Sequence, residues 1–278
     1  MSQPTKDLSR DIAHILAKRH DNGGDFWATN DGRPGVGSPF STLESLLLLH
    51  EYGLGVEHEA VAGAVNLLLA GWQDDGRFHL PPGGTIYPCQ TANIARCLCR
   101  FGLAQEPRLE RTVEHPVQTV HNDGGWRCNR VALGRSPQTD ASNPGVTLFV
   151  LDLLRFRPAW LELSVVDQSV ETLLSHWRTR RPLGPCEFGI GTLFMHTELP
   201  FLRYNLFSYV FVLSFFRQAH DDPSFGEALG ELRSRLDEDG LLIVERPNRR
   251  YAGLEALARG RGSPLATRRY REIERNLA

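Results

Sequence analysis

The chain has 278 residues, 41% hydrophobic and 23% charged, with a formal net charge of −2, which suits a soluble globular protein long enough to bury a substantial core. That charge balance excludes a molecule built as a whole to seek nucleic acid, although the stretch from Glu245 onward sets nine Arg against four Glu. Five cysteines without a CxxC pair argue against a zinc ribbon, and an N-terminus lacking an apolar run suggests no secretory signal, so free thiols in a reducing cytoplasm are expected.

After a helix within residues 1–21, the chain reads as pairs of helices with short breaks. STLESLLLLHEYGL is followed by EHEAVAGAVNLLLAGW, and PCQTANIARCLCRFGL by EPRLERTVEHPVQTV. SNPGVTLFVLDLLRF is followed by LSVVDQSVETLLSHW, and ELPFLRYNLFSYVFVLSFF by DPSFGEALGELRSRL. Apolar residues recur at three- and four-residue spacing, and proline starts the second helix at Pro107 and Pro223. The run from Leu199 to Phe216 is the most apolar, but Arg203 and Asn205 interrupt it, which predicts a buried helix and not a membrane span.

Glycine-bearing punctuation recurs between the pairs, at NGGDFW (22–27), WQDDGRF (72–78), HNDGGWR (121–127), RRPLGPCEF (180–188) and LDEDGLLIV (236–244). With Gly24, Gly76, Gly125, Gly184 and Gly240 as markers, the intervals are 52, 49, 59 and 56 residues, a period that suggests repeated supersecondary units. The first helix of each pair is apolar nearly all round and the second is amphipathic, as two concentric rings would require. An all-α, α/α toroid is therefore predicted, with inner helices near 40–53, 87–102, 142–156 and 199–217, and an open helical solenoid is the alternative. One domain spans 1–278, with the basic segment 245–278 packing on it.

Gln73-Asp74-Asp75-Gly76-Arg77-Phe78 and Asp123-Gly124-Gly125-Trp126 resemble the QxxxGxW-type repeat of the squalene-cyclase and protein-prenyltransferase superfamily. The Cys-x-Thr-x-Asn helix start at Cys89 to Asn93, the GGWxC run ending at Cys128, and the C-terminal run from Arg261 to Leu277 are similar to small single-toroid bacterial proteins carrying that repeat. The resemblance implies the toroid and an apolar isoprenoid or lipid ligand in a central cavity. Peripheral membrane contact is a further expected partner class, and the basic C-terminal segment, with no aromatic or fold signature beside it, predicts no nucleic-acid partner. It departs from the cyclases in lacking a DxDD-type motif, and from ionisation-type terpene synthases in lacking DDxxD.

Three functions stay open at this stage. In an acid-initiated terpenoid cyclase, a carboxyl kept protonated in an apolar cavity starts the reaction. Asp140 is ranked first for this role, ahead of Glu198 and Asp152. Aromatic rings then shelter cations, and Tyr204, Phe207, Phe211 and Phe215 share a face of the predicted helix. Tyr204 is the second catalytic candidate; Phe207, Phe211, Asn205, Arg203 and Trp126 are the candidate substrate contacts. In a zinc-dependent prenyl or thiol transferase, Cys128, Asp140 and His196 resemble the Asp/Cys/His set of protein prenyltransferases, with Cys89 and Cys186 at the same mouth. The third is a non-catalytic lipid-binding or scaffolding toroid. Gly-Gly-Trp is read as architecture, the glycine permitting a left-handed turn and the ring filling space between helix pairs.

Overall fold

The computed structural model describes residues 8–79, 88–128, 140–183 and 189–278. In chain order the helices are α1 (Ser9–Ala17), α2 (Thr42–Glu51), α3 (Glu59–Leu69), α4 (Pro88–Arg100), α5 (Pro107–Thr119), α6 (Pro144–Leu154), α7 (Pro158–Leu161), α8 (Val165–Thr179), α9 (Leu206–Leu213), α10 (Arg217–His220), α11 (Pro223–Arg233) and α12 (Pro264–Leu277). Two two-residue strands, β1 (Ile243–Val244) and β2 (Arg261–Gly262), pair antiparallel.

The inner helices are α2, α4, α6, α9 and α12, each packed on the next. Every residue of α6 and of α9 is buried. The outer helices α3, α5, α8 and α11 each pack on the inner helix of their own pair and bury one stripe, as Val165, Val166, Ser169, Val170, Leu173 and Leu174 do on α8. The ring closes where α12 returns to α2. Arg269 Nε donates to Glu51 Oε2 at 2.8 Å, and Arg268 donates to the Glu51 carbonyl. Helix α1 seals the seam, since the buried Asp11 carboxylate accepts from the Glu255 and Ala256 amides, each at 2.9 Å, and from the Tyr52 hydroxyl at 2.8 Å. The fold is a closed α/α toroid, and among the described residues no helix is long and apolar enough to cross a membrane.

The repeated turn has a mechanism finer than its glycines. In Gln73–Phe78 the Gln73 amide donates to the Arg77 carbonyl and the Gly76 amide to the Gln73 carbonyl, both at 2.9 Å. His121–Trp126 and Asp237–Leu242 repeat the pair at 2.8–2.9 Å. The residue two beyond the glycine is buried, and its amide donates to a threonine hydroxyl on the first turn of the next inner helix. Phe78 reaches Thr91 at 3.1 Å, Trp126 reaches Thr147 at 3.1 Å and Leu242 reaches Thr267 at 2.9 Å. Each threonine stands three residues after the proline that opens its helix, in PCQT, PGVT and PLAT.

This lock corrects the first marker. The equivalent turn in the first repeat is Thr29–Pro34, not NGGDFW: the Thr29 amide donates to the Arg33 carbonyl at 3.2 Å and the Gly32 amide to the Thr29 carbonyl at 2.8 Å. Gly32, Gly76, Gly124 and Gly240 have φ of +76, +86, +87 and +72°, the left-handed region that a glycine enters without a Cβ penalty. Gly184, the fourth marker, lies outside the described residues. Position 34 is proline and has no amide hydrogen, so Ser45, which takes the threonine's place on α2, has no hydrogen-bond partner for its buried Oγ among the described residues.

The predicted inner helix over 199–217 is shortened to Leu206–Leu213. Asn205 caps it, its side chain accepting from the Ser208 amide at 3.0 Å, and the extended backbone of a capping residue stops the helix from running back through Pro200.

Candidate functional site at the mouth of the ring

Because every lock joins a turn to the first turn of an inner helix, the helix N-termini gather at one mouth of the ring. There the third turn is tightly built. A Cβ on Gly125 would lie 2.5 Å from Thr147 Oγ1, so only glycine permits the approach. Trp126 is buried and its indole N–H donates to the Pro116 carbonyl at 2.9 Å, plugging the space between pairs. Beside it a cavity of about 330 Å³ is lined by Arg77, His115, His121, Trp126 and Arg127, among others. Trp126 thus serves the architecture and also faces this cavity.

Asp140 stands in the wrong environment for a desolvated acid. Its side chain is 48% exposed and accepts an ion pair from Arg127 at 2.5 Å, with His121 at 3.8 Å. Asp152 fails for a related reason. It is wholly buried, and burial alone would favour its neutral form. Arg100 (2.7 Å), Arg155 (2.5 Å) and Arg96 (2.6 Å) outweigh that cost and hold its carboxyl far below the ordinary carboxylate range.

Glu198 is different. It is 5% exposed, its nearest cation is Arg203 Nε at 3.8 Å, and burial raises its carboxyl above the ordinary range against the pull of Arg203 and Arg246. Arg203 itself projects outward, with 54% of its side chain exposed. Tyr204 leaves the helical face predicted for it, because α9 begins two residues later. Its ring stacks on His176, and its hydroxyl lies 2.8 Å from His176 Nδ1. His176 Nε2 donates to the Arg181 carbonyl at 3.0 Å, so the neutral imidazole offers Nδ1 as acceptor and the tyrosine donates. Burial holds the Tyr204 phenol well above its ordinary value and keeps that proton in place.

The phenylalanines form their own group. Phe201 meets Phe207 at 4.9 Å and Phe211 at 4.8 Å, and Phe211 meets Phe215 at 5.3 Å. Two of them, Phe211 and Phe215, already face a cation of the chain's own. The Arg155 guanidinium lies 5.0 Å from the Phe211 centroid and 4.4 Å from that of Phe215. Asn205, a predicted substrate contact, is buried as the cap of α9, with its amide nitrogen donating to the Arg203 carbonyl at 3.2 Å.

Of the proposed zinc ligands, Cys89, Cys128, Asp140 and His196 fall among the described residues, and there they form no cluster of three. Among the described residues no three His, Cys, Asp or Glu side chains come together as a metal site, and Cys186 lies outside those residues. Cys128 is buried, Cys89 is half-buried, and the Asp140 carboxylate is already engaged by Arg127. His196 Nδ1 is buried without a partner among the described residues. Cys97 and Cys99 pack mid-helix, and burial pushes both thiols up to about 12.

Sequence reasoning missed His176, a lone histidine on an amphipathic helix, and the guanidinium cluster around Asp152. The signal for the cluster was present: Arg96 and Arg100 stand four apart on one inner helix, and Asp152 and Arg155 three apart at the end of another, apolar one.

No family model and no curated protein matches the chain. A solved structure of a protein from Actinoplanes is 18% identical, over 98% of this chain and 74% of its own, with a TM-score of 0.52. The apo type II terpene cyclase MstE from Scytonema is 14% identical, over 99% of this chain and 84% of its own, at 0.47. A variant of that cyclase in complex with its substrate geranylgeranyl dihydroxybenzoate is 14% identical, over 97% and 76%, at 0.48. The first of these shows likeness of fold alone; the two cyclase structures lie too far off to say anything of this chain.

Proposed function

We propose that the chain is a terpenoid-cyclase-like enzyme that acts on an apolar isoprenoid at the mouth of the ring, with Glu198, in place of Asp140, as proton donor. The observation that carries the reading is the Glu198 carboxyl, buried at the mouth and raised by burial, with its nearest cation 3.8 Å away. Burial favours the protonated form of such a carboxyl, which can pass its proton to an alkene or epoxide and is left as a carboxylate beside the cation that forms. Tyr204, its hydroxyl held by His176, supplies a rigid aromatic wall with a polar tip. The competing reading, a non-catalytic lipid-binding toroid, draws on the ion pairs and phenylalanines that fill the ring below the mouth.

The test is turnover of polyprenyl substrates of graded length, followed by mass spectrometry of products. Glu198→Gln, an isosteric change, should lower kcat by roughly 10²-fold or more while leaving substrate binding within about threefold. Asp140→Asn should leave turnover unchanged. Tight prenyl-lipid binding with no product from the unmodified protein would instead select the non-catalytic reading.

A further inference from the structure

The cavity of about 330 Å³ beside Trp126 adjoins a second, apolar slot of about 20 Å³ between α4, α5 and α6. The two share Pro88, His115, Thr119 and Trp126 as walls. The outer chamber alone reaches the lower end of the range for small-molecule sites.

The slot is apolar although three threonines line it. Thr112 Oγ1 donates to the Arg108 carbonyl at 2.9 Å and accepts the Trp72 indole N–H at 3.3 Å. Thr119 Oγ1 donates to the His115 carbonyl at 2.8 Å, and Thr91 Oγ1 accepts the Phe78 amide at 3.1 Å. With their hydroxyls engaged, the threonines add methyl groups to a wall completed by Ala92, Val150 and Leu153. Trp126 adds a ring whose N–H is held by the Pro116 carbonyl. A water in so small a space would need two or more polar partners, so the slot suits a methyl-sized group.

The outer chamber has the opposite character. Arg77 commits Nε and Nη2 to Asp75, at 2.9 and 2.5 Å, and Arg127 commits one Nη to Asp140 at 2.5 Å. The other guanidinium N–H groups have no acceptor among the described residues and are open to a ligand. Asp75 and Asp140 are not in the wall, and among the described residues no carboxylate lines the chamber. Burial, with Arg77 beside it, holds the His115 imidazole below its ordinary value, which favours the neutral form. A wall rich in donors matches a group that only accepts, as a carboxylate does. Each arginine already faces one carboxylate of the chain, so a single negative charge fits better than a dianion.

We propose that these two chambers form a binding site for a small carboxylate with a hydrocarbon tail, its head on Arg77 and Arg127 and its tail end in the slot behind Trp126. The site is independent of the proposed chemistry, since neither Glu198 nor Arg203 lines it.

The test titrates the full chain with 4-methylpentanoate, and in parallel with its amide, acetate and inorganic phosphate, at constant ionic strength. The NMR signals of the His115 ring and the Trp126 indole report binding at the site. The acid should shift both saturably, and the amide should bind at least tenfold more weakly. Acetate keeps the head and loses the tail, and should also bind at least tenfold more weakly. Arg127→Gln alters a side chain that is 44% exposed, so Tm should stay within about 2 °C while the affinity for the acid falls at least tenfold. If that variant unfolds, the comparison of acid with amide in the unmodified protein decides the matter. No saturable shift at His115 and Trp126, an amide or acetate that binds as tightly as the acid, phosphate that binds more tightly, or an affinity unchanged in Arg127→Gln would each overturn the proposal.

Discussion

The threonine locks make a sharp contrast available within one molecule. Thr147 Oγ1 accepts the Trp126 amide at 3.1 Å and donates to the Asn143 carbonyl at 3.0 Å, all of it buried. Thr147→Val conserves shape and the preferred rotamer of a β-branched residue in a helix, and removes only the hydroxyl. The Trp126 amide is then buried with no acceptor, at a cost of about 1–3 kcal/mol. For a chain of 278 residues each kcal/mol corresponds to roughly 2 °C, so Tm should fall by about 2–6 °C. Ser45 occupies the same place in the first repeat, but Pro34 has no N–H to offer and the Ser45 hydroxyl is unpartnered among the described residues. Ser45→Ala should therefore change stability by under about 0.5 kcal/mol or improve it, since it removes a polar atom that gains nothing from burial. Calorimetry on the two variants side by side is the assay. Equal losses, or a larger loss at Ser45, would show that the hydroxyls serve packing and not the turns.

Two further expectations rest on the buried charges. Asp152→Asn strips the anion from three buried guanidinium groups and should cost about 3–5 kcal/mol in urea unfolding, a large share of the roughly 5–15 kcal/mol that holds a domain together; a loss under about 1 kcal/mol would mean that the cluster is solvated. His50, lowered from 6.5 to about 4 by burial and the nearby arginines, takes up its proton in the unfolded chain first. The stability it confers is complete above pH 6.5 and is lost as pH falls toward 4, by about 3 kcal/mol. A His50→Gln variant should flatten the fall in stability over that window, and an unchanged slope would acquit His50.

The fold was legible because burial writes itself into periodicity. Helices covered on both sides, such as α6 and α9, are apolar all round, and those with one wet face, such as α8, are not. What escaped were features decided by a single backbone atom or by distant partners. NGGDFW looks like the other turns because it carries two glycines and an aromatic. The repeat is defined instead by an amide that docks on the next inner helix, and in the first repeat proline had erased it. In NGGDFW the Trp27 indole N–H donates to the Ile15 carbonyl at 3.0 Å, fastening α1 to the ring. Tyr204 shares a helical face with Phe207 only if the helix reaches that far back, and the cap at Asn205 moved it to His176. The acids were harder still. Sequence does not show how far Asp140, Asp152 and Glu198 are buried or how close guanidinium groups lie, 2.5–2.7 Å for the first two and 3.8 Å for the third.

That separation bears on where carbocation chemistry has room to occur. A ring interior lined by phenylalanine suggests a chamber for a folded hydrocarbon, yet Phe211 and Phe215 already face the Arg155 guanidinium, and Arg96 stands over Phe149 at 4.5 Å. A substrate cation brought to those rings would meet arginines of like charge at short range, a repulsion that low dielectric makes severe. Aromatic faces stabilise a reaction intermediate only when they are not already satisfied. The chemistry proposed here is therefore confined to the mouth, where burial favours the protonated form of Glu198 and Tyr204 presents a ring that packs, among the described residues, against His176, Phe194 and Tyr209. The same division explains why the charge cluster is tolerated: it closes the far end of the ring against hydrocarbon, leaving the mouth as the place where an apolar substrate gains by entering.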